Sequence, residues 1–351
     1  MLKIYTDLSH YQPDNRKYLS DLLRPFLPNN RSVEFGIQGV PIKFVKEIKD
    51  CDCCLLPMSW NYYLSNNTIS VAEKFLEKAE TYNRKTLVWF TGDHYSALYR
   101  ENIIIFRQSC YDSKKEKSEF TLPVFIRDPL GFKNQNQIFI RQKELNPLVG
   151  FCGQTDVSLI STFFKLNYRL FKKIQYYFGL SKFDPMIIMP PTYIRRVTLQ
   201  NLDKDNRIKT LFIKRKRYKG RQFGVEYNEK KIRSEFYNNI SLTDYTVCVR
   251  GGGNFSTRFY ETLALGRIPI FINTDCKLPF DKQINWKDHC IWINYESINQ
   301  SGDILFDFHD NITSSDFISM QRGNRVLWEE KLSFSGFYKH LVTELPGKLG
   351  K

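Results

Sequence analysis

The stretch that decides the fold is DYTVCVRGGGNFSTRFYETLALGRIPIFINTDCKLPFDKQINWKDHCIWI, residues 244–293. It reads as strand, glycine turn, helix, strand, loop, strand. Residues 245–249 form a short apolar run with β-branched members, the pattern of a buried strand. Arg250 and the triplet Gly251-Gly252-Gly253 follow at once. Three glycines permit positive φ and a close approach of ligand to backbone. Asn254 and Ser256 are both candidate caps for a helix that carries Phe259, Leu263 and Leu265 as apolar contacts and stops at Gly266. Residues 268–272 read as the next strand, with Asn273, Thr274 and Asp275 at its end.

That order of elements predicts an anion site. Backbone N–H groups of a glycine turn and a helix N-terminus both point at negative charge. Arg250 before the turn and Arg258 in the first helical turn add two bidentate cations. Glu261, three residues beyond Arg258, shares its side of the helix and suits the vicinal hydroxyls of a ribose. Phosphates beside a ribose describe a nucleotide, and the absence of a Walker lysine–serine pair argues against an NTPase. The candidate ligand set is Arg250, Gly251, Gly252, Gly253, Asn254, Ser256, Thr257, Arg258 and Glu261. The plainer alternative is a generic Rossmann-like turn that binds some other phosphate.

Residues 248–272, CVRGGGNFSTRFYETLALGRIPIFI, resemble the signature of the exostosin glycosyltransferases: a Cys-Pro-Arg-Gly turn, then Ser-x-Arg-x-x-Glu, then Gly-x-Ile-Pro. Cys248, Arg250, Gly251, Ser256, Arg258, Glu261, Gly266, Ile268 and Pro269 fall in register, and LPFDKQINW (278–286) resembles the stretch that follows it in the family. Val249 stands where the family has proline and Arg267 where it favours cysteine. The resemblance implies an α/β protein of GT-B architecture, two Rossmann-like domains facing a cleft, with the donor nucleotide in the second and the acceptor against the first. It implies inverting transfer of a hexosyl or pentosyl group from a nucleotide diphosphate, UDP by resemblance, to a glycan hydroxyl in polysaccharide or glycoconjugate synthesis. Its partners would be the nucleotide sugar and a glycan or lipid-linked glycan; no cofactor is expected, and arginines around the diphosphate would replace a metal ion. Fucosyltransferases carry a comparable helix without the arginine–glycine triplet, so a GDP-sugar transferase is one alternative. A non-catalytic glycan-binding scaffold is another.

A chain of 351 residues accommodates two domains of about 150–180 residues. Its formal charge of +15 implies an acidic partner: sugar-nucleotide phosphates, an anionic polysaccharide or lipid headgroups. No basic-aromatic nucleic-acid motif appears, so nucleic acid is not expected. The N-terminus lacks an apolar h-region and no window reaches the length of a membrane span, so no signal peptide or transmembrane segment is expected. The eight cysteines show no zinc spacing and read as buried free thiols of a reducing compartment. Asn254 heads a glycosylation sequon inside the glycine turn, which again favours a cytoplasmic protein, with contact at the inner membrane face as an option.

Taken in order, residues 1–146 read as the first domain, 147–325 as the second, and 326–351 as a helix returning to the first. Residues 2–5 are a strand with Asp7 and His10 in the loop at its end, where open α/β sheets bind ligands. Residues 18–27 read as a short helix and 51–56 as a strand. Trp60 and Tyr62 beyond that strand are candidates to stack on an acceptor sugar, with simple packing as the alternative. A helix over 71–82 and a strand over 86–90 lead to Asp93 and His94, a pair suited to act as base and orienting partner. Strands over 103–106 and 122–126 precede a linker over 131–146. The second domain opens with a strand over 148–152 and Gly153, which permits a tight strand-to-helix turn near the donor's reactive end. Residues 159–180 form a long aromatic and basic helix, expected to pack on the second sheet, with a membrane surface as the alternative. A strand over 210–213 runs into the densest basic cluster, in which Lys214, Arg215 and Arg217 are candidates to neutralise the leaving diphosphate; a solvated charge run is the bland alternative.

Overall fold

The computed structural model describes all residues except 94, 115–118, 134, 156–158, 186–188, 216–227 and 350–351, and the side chain of residue 159. His94 and Arg217 therefore lie outside the described residues. The chain divides into two units: Met1–Phe125, Lys277–Pro279 and Glu330–Lys351 in the first, Ile126–Cys276 and Phe280–Glu329 in the second.

The first unit is a six-stranded sheet of β1 (Leu2–Tyr5), β2 (Ile42–Val45), β3 (Cys53–Leu55), β4 (Thr86–Phe90), β5 (Ile103–Arg107) and β6 (Glu119–Thr121), in the order β2-β1-β3-β4-β5-β6. Every pair is parallel. β4 and β5 are buried at every position, as parallel strands covered on both faces are. α1 (Trp60–Ser65) and α2 (Ile69–Thr81) follow β3, and α2 buries Ala72, Phe75, Leu76 and Ala79 at helical spacing. Two sequence expectations fail here. Residues 18–27 do not form one helix: Ser20 N–H donates to Pro57 O at 2.9 Å and Trp89 Nε1 to Asp21 at 3.2 Å, and these ties to the sheet leave only short 3-10 turns. The last strand lies before Leu122, not after it, because Pro123 has no N–H for a ladder and Glu119 is drawn inward to its ion pair with buried Arg107.

The second unit is a five-stranded parallel sheet of β7 (Leu148–Gln154), β8 (Lys209–Arg215), β9 (Tyr245–Cys248), β10 (Ile268–Asn273) and β11 (Ile291–Asn294), ordered β11-β10-β9-β7-β8. Its helices are α3 (Pro129–Phe132), α4 (Leu159–Tyr177), α5 (Pro191–Lys204), α6 (Glu229–Ser241), α7 (Thr257–Ala264), α8 (Ser301–Asn311) and α9 (Ser314–Leu327). Val149, Phe151, Val247, Ile270, Ile293, Leu305 and Phe317 form its core. Gly266 ends α7 with φ +62°, and a Cβ there would lie 2.4 Å from Ile138, so both conformation and space require glycine. Both sheets are thus the pair of parallel Rossmann-like layers expected. In each, the chain reverses its direction of travel between the first and third strands, β1/β3 and β7/β9, and ligands of open α/β sheets bind beyond the carboxyl ends of such a pair.

Residues 131–146, expected as a linker, are instead packed into the second unit, which begins at Ile126. Asp128 caps α3 and pairs with Arg325 at 2.7 Å, while Arg141 pairs with buried Asp244 at 2.5 Å. The departure at Arg267 also has a structural account. Fully buried, it donates to Ser241 O, Gly266 O, Phe139 O and the Gln321 side chain, which binds the 131–146 segment to α9. Burial pushes its pKa down to about 10. The last helix, α10 (Phe334–Leu349), belongs to the first unit, where Tyr338 donates to Leu22 O at 3.2 Å.

Candidate functional site

The β7/β9 reversal of the second unit gathers Arg250, Arg258 and Glu261 from the charged residues singled out in the sequence. Arg258, in the first turn of α7, donates to Cys152 O at 2.7 Å and to Val247 O at 3.2 Å, bridging the ends of the two strands. Its guanidinium lies 4.1 Å from the Phe151 ring centre, and its Nε–H has no partner among the described residues. Gly153 is part of β7, not of the turn after it, and a Cβ there would sit 2.6 Å from Arg258 Nη2. Its missing side chain makes room for the arginine, so its role here is indirect.

Glu261 stands one turn along the same helix, buried, with Tyr237 OH donating to it at 3.5 Å and Arg233 in turn donating to Tyr237 OH at 3.3 Å. Burial raises its pKa to about 7, although Arg258 and Arg233 pull the other way. Burial, and after it the Glu261 charge, raises the Tyr237 phenol. Ser256 precedes α7 as its N-cap but makes no side-chain capping bond; Phe259 N–H donates to Ser256 O at 3.1 Å, which leaves the N–H groups of Thr257 and Arg258 their capacity for an acceptor. Thr257 is exposed beside it.

The other candidates of this stretch have structural occupations. Arg250 is buried and donates to the carbonyls of Gly251, Gly252 and Met189. Gly251 has no positive φ, and its N–H closes the turn onto Phe255 O at 2.9 Å. Gly252 is exposed and Gly253 buried in the same turn. Asn254 is fully buried, donating to Asp275 O at 2.9 Å and accepting from the Thr274 hydroxyl at 2.8 Å. It locks the turn to the loop after β10 and is not placed as a ligand. Lys214 and Arg215 belong to β8, not to a loop beyond it. Lys214 faces Asp203 at 3.5 Å, and Arg215 pairs with Glu235. Burial, with a smaller part from the Arg215 charge, pushes the Arg258 pKa down.

In the first unit the β1/β3 reversal holds a different set. Asp7 accepts from the Ser9 hydroxyl at 2.6 Å and from Ser9 N–H at 3.0 Å, and the hydroxyl in particular holds its pKa down. His10 lies 3.0 Å from Tyr63 OH and edge-on to Phe75, and burial lowers its pKa against the pull of Asp7. Trp60 is buried and offers no face to a sugar, which corrects that expectation; Tyr62 is partly buried between Tyr18 and Tyr63. Asp93 is exposed beyond β4. All eight cysteines are buried thiols, as expected.

No family model matches the chain. It is similar to Exostosin-1 of Drosophila melanogaster, 28% identical over 118 residues that cover 32% of this chain and 15% of that protein. It is similar also to a "Probable glucuronosyltransferase" of Oryza sativa subsp. japonica, 25% identical over 151 residues, 43% of this chain and 30% of the other. A "Probable glucuronoxylan glucuronosyltransferase IRX7" of Arabidopsis thaliana is 27% identical over 79 residues, 22% and 18% of the two chains. The sequence likeness is to the exostosin family of glycosyltransferases. The match spans less than a third of the length of each of these relatives. Among solved structures, Anabaena HepE in complex with UDP aligns over 99% of this chain and 100% of its own, at 9% identity and a TM-score of 0.40. TarM aligns over 76% of this chain and 50% of its own, at 11% identity and a TM-score of 0.37.

One residue at the exostosin-like turn was missed. Arg195 of α5 donates to Gln154 O at 3.3 Å and to Arg250 O at 2.8 Å, a second bridge between the ends of β7 and β9. Ile194, Thr198, Leu199 and Leu202 are buried along that helix, and the spacing of those apolar residues was the signal that would have found it. Arginines 195, 250 and 258 with the buried Glu261 carboxylate make an arrangement suited to a polyanion that also carries hydroxyls.

Proposed function

We propose that the chain is a metal-independent, inverting glycosyltransferase that moves a hexosyl or pentosyl group from a UDP-sugar to a glycan hydroxyl. The observation that carries this reading is the joint placement of Arg258, Glu261 and the uncapped start of α7 beyond β7 and β9, within the exostosin-like signature. Arg258 with its free Nε–H and the N–H groups of Thr257 and Arg258 would receive the diphosphate, and the Glu261 carboxylate would accept from the ribose hydroxyls. In the reaction the acceptor oxygen attacks the anomeric carbon while the bond from that carbon to the β-phosphate oxygen breaks. The electron pair departs on UDP, where the cations stabilise it. The acceptor proton needs a base, and burial keeps the His10 imidazole neutral and able to accept one. UDP is the nucleotide that the exostosin likeness implies.

Titration calorimetry with UDP and GDP, in EDTA, tests the reading. UDP-selective binding that survives EDTA and is lost in Glu261→Ala is expected. A preference for GDP would favour a fucosyltransferase-like donor, and a folded protein that binds neither would overturn the proposal.

A further inference from the structure

A surface helix ordinarily turns its apolar stripe to the core and its charges to water. α4 does the reverse, and the expectation that it packs its aromatics on the sheet fails. Ile160, Phe163, Phe164, Tyr168, Phe171 and Ile174 share one side of the helix and all face solvent, with Phe163 63% and Phe164 67% exposed. The strip runs on past the helix through Tyr177 and Phe178, themselves 85% and 69% exposed. The opposite side carries the polar anchors. Lys173 reaches the buried Asp184 carboxylate at 2.7 Å, and Arg169 donates to Met189 O at 3.5 Å. Turning the helix over would strip the buried Asp184 carboxylate of its cation, so the orientation of α4 is specified by its own charges. Contiguous apolar surface of this kind marks an interaction face.

Charge says what covers it. Residues 159–182 contain five basic residues and no acidic one. Lys165 is exposed, and the Lys172 ammonium lies 5.8 Å from the Tyr168 ring centre, at the border of the aromatic side, where long cationic stems reach from an apolar layer to its polar boundary. A second copy of the chain would oppose this basic strip with the same charge. Among the described residues no helix is long and apolar enough to cross a membrane, and four cations on α4 favour a helix lying in the plane of the interface.

We propose that α4 is an interfacial docking helix that seats the chain on an anionic phospholipid surface, its aromatic side at the headgroup–acyl boundary and its lysines among the phosphates. The docking stands whether or not a nucleotide binds. It also has a route to the candidate site: Met189 O accepts from Arg169 of α4 and from Arg250 of the glycine turn alike.

Vesicle flotation of the full chain tests this, with vesicles of phosphatidylcholine alone and with roughly 30% phosphatidylglycerol. Binding to the anionic vesicles is expected to exceed that to the neutral ones by about tenfold or more. The double variant Phe164→Asp/Phe171→Asp changes only exposed side chains and keeps its far-UV circular dichroism and melting temperature, yet should lose binding by about tenfold or more. Lys165→Glu/Lys172→Glu should lower binding to anionic vesicles several-fold while leaving the weak binding to neutral ones. Absence of flotation with either vesicle overturns the proposal, as does binding that the aromatic variant leaves unchanged. So does sedimentation showing a wild-type dimer that the aromatic variant dissociates, since a second copy would then cover the face.

Discussion

The two sheets repeat one strand order and place their reversals at equivalent points, yet the side chains beyond those points have little in common. Beyond β7 and β9 stand Arg195, Arg250 and Arg258, with the interior Glu261 beside them. Beyond β1 and β3 stand Asp7, bonded to Ser9, and His10, flanked by Tyr63 and Phe75. The shared topology fixes where a ligand can sit; the side chains decide what it can be. One end concentrates arginines beside a buried carboxylate, the other a half-buried imidazole beside a carboxylate. The contrast makes unequal demands on the two units, and substitutions can measure the inequality.

Arg258→Ala should have the largest effect. It removes two hydrogen bonds that tie β7 to β9 and leaves Glu261 without its nearest cation. Nucleotide affinity should fall by at least about a hundredfold and stability by about 2–3 kcal/mol. Calorimetry and denaturant unfolding read the two separately, and UDP affinity within threefold of wild type would break the contrast. The next effect is pH dependence. Glu261 ionises near 4.5 when unfolded and at about 7 when folded, so the folded state holds the proton more firmly and its stability falls as pH rises between those values. A ligand whose hydroxyls donate to the carboxylate needs it ionised, so UDP should bind more tightly as pH rises from 6 to 8, by up to about tenfold. Binding below pH 7 should release a proton, visible as a buffer-dependent heat, and Glu261→Gln should flatten the profile. Gly153→Ala comes third. Its Cβ would displace the guanidinium of Arg258, and a loss of about fivefold in affinity that is not additive with Arg258→Ala would show that this glycine acts through the arginine.

Much of this was legible in the sequence, for reasons that differ by element. Residues 86–90 and 268–272 announce themselves as strands through unbroken β-branched and apolar runs, because parallel strands are covered on both faces. Gly266 and the Arg258–Glu261 spacing fix the end and one face of α7 from local rules alone. The misses are tertiary. Nothing local says that Asn254 and Arg250 turn inward onto carbonyls, or that Lys214 lies inside a strand, since those outcomes depend on partners up to 61 residues away. The orientation of α4 is not legible locally, because periodicity reveals that a helix has an apolar side but not which way it faces; Asp184, beyond the helix, settles that.

The smallest effect on nucleotide binding should come from the other reversal. His10→Gln keeps the chance of a hydrogen bond to Tyr63 but removes the titrating ring, so UDP affinity should stay within about twofold of wild type. Turnover is another matter. Burial holds the imidazole pKa below its ordinary value, so the neutral base persists to lower pH than an exposed histidine would allow. The acid limb of the wild-type rate profile should therefore fall below pH 6.5, and His10→Gln should abolish that limb along with most of kcat. Asp7→Asn offers the finer test. The Asp7 charge raises the imidazole pKa, so removing it should move the same limb to still lower pH without touching UDP binding. A limb that does not move would mean that another group takes the proton. Loss of UDP affinity in either variant would instead mean that the chemistries of the two strand ends are not divided as their side chains suggest.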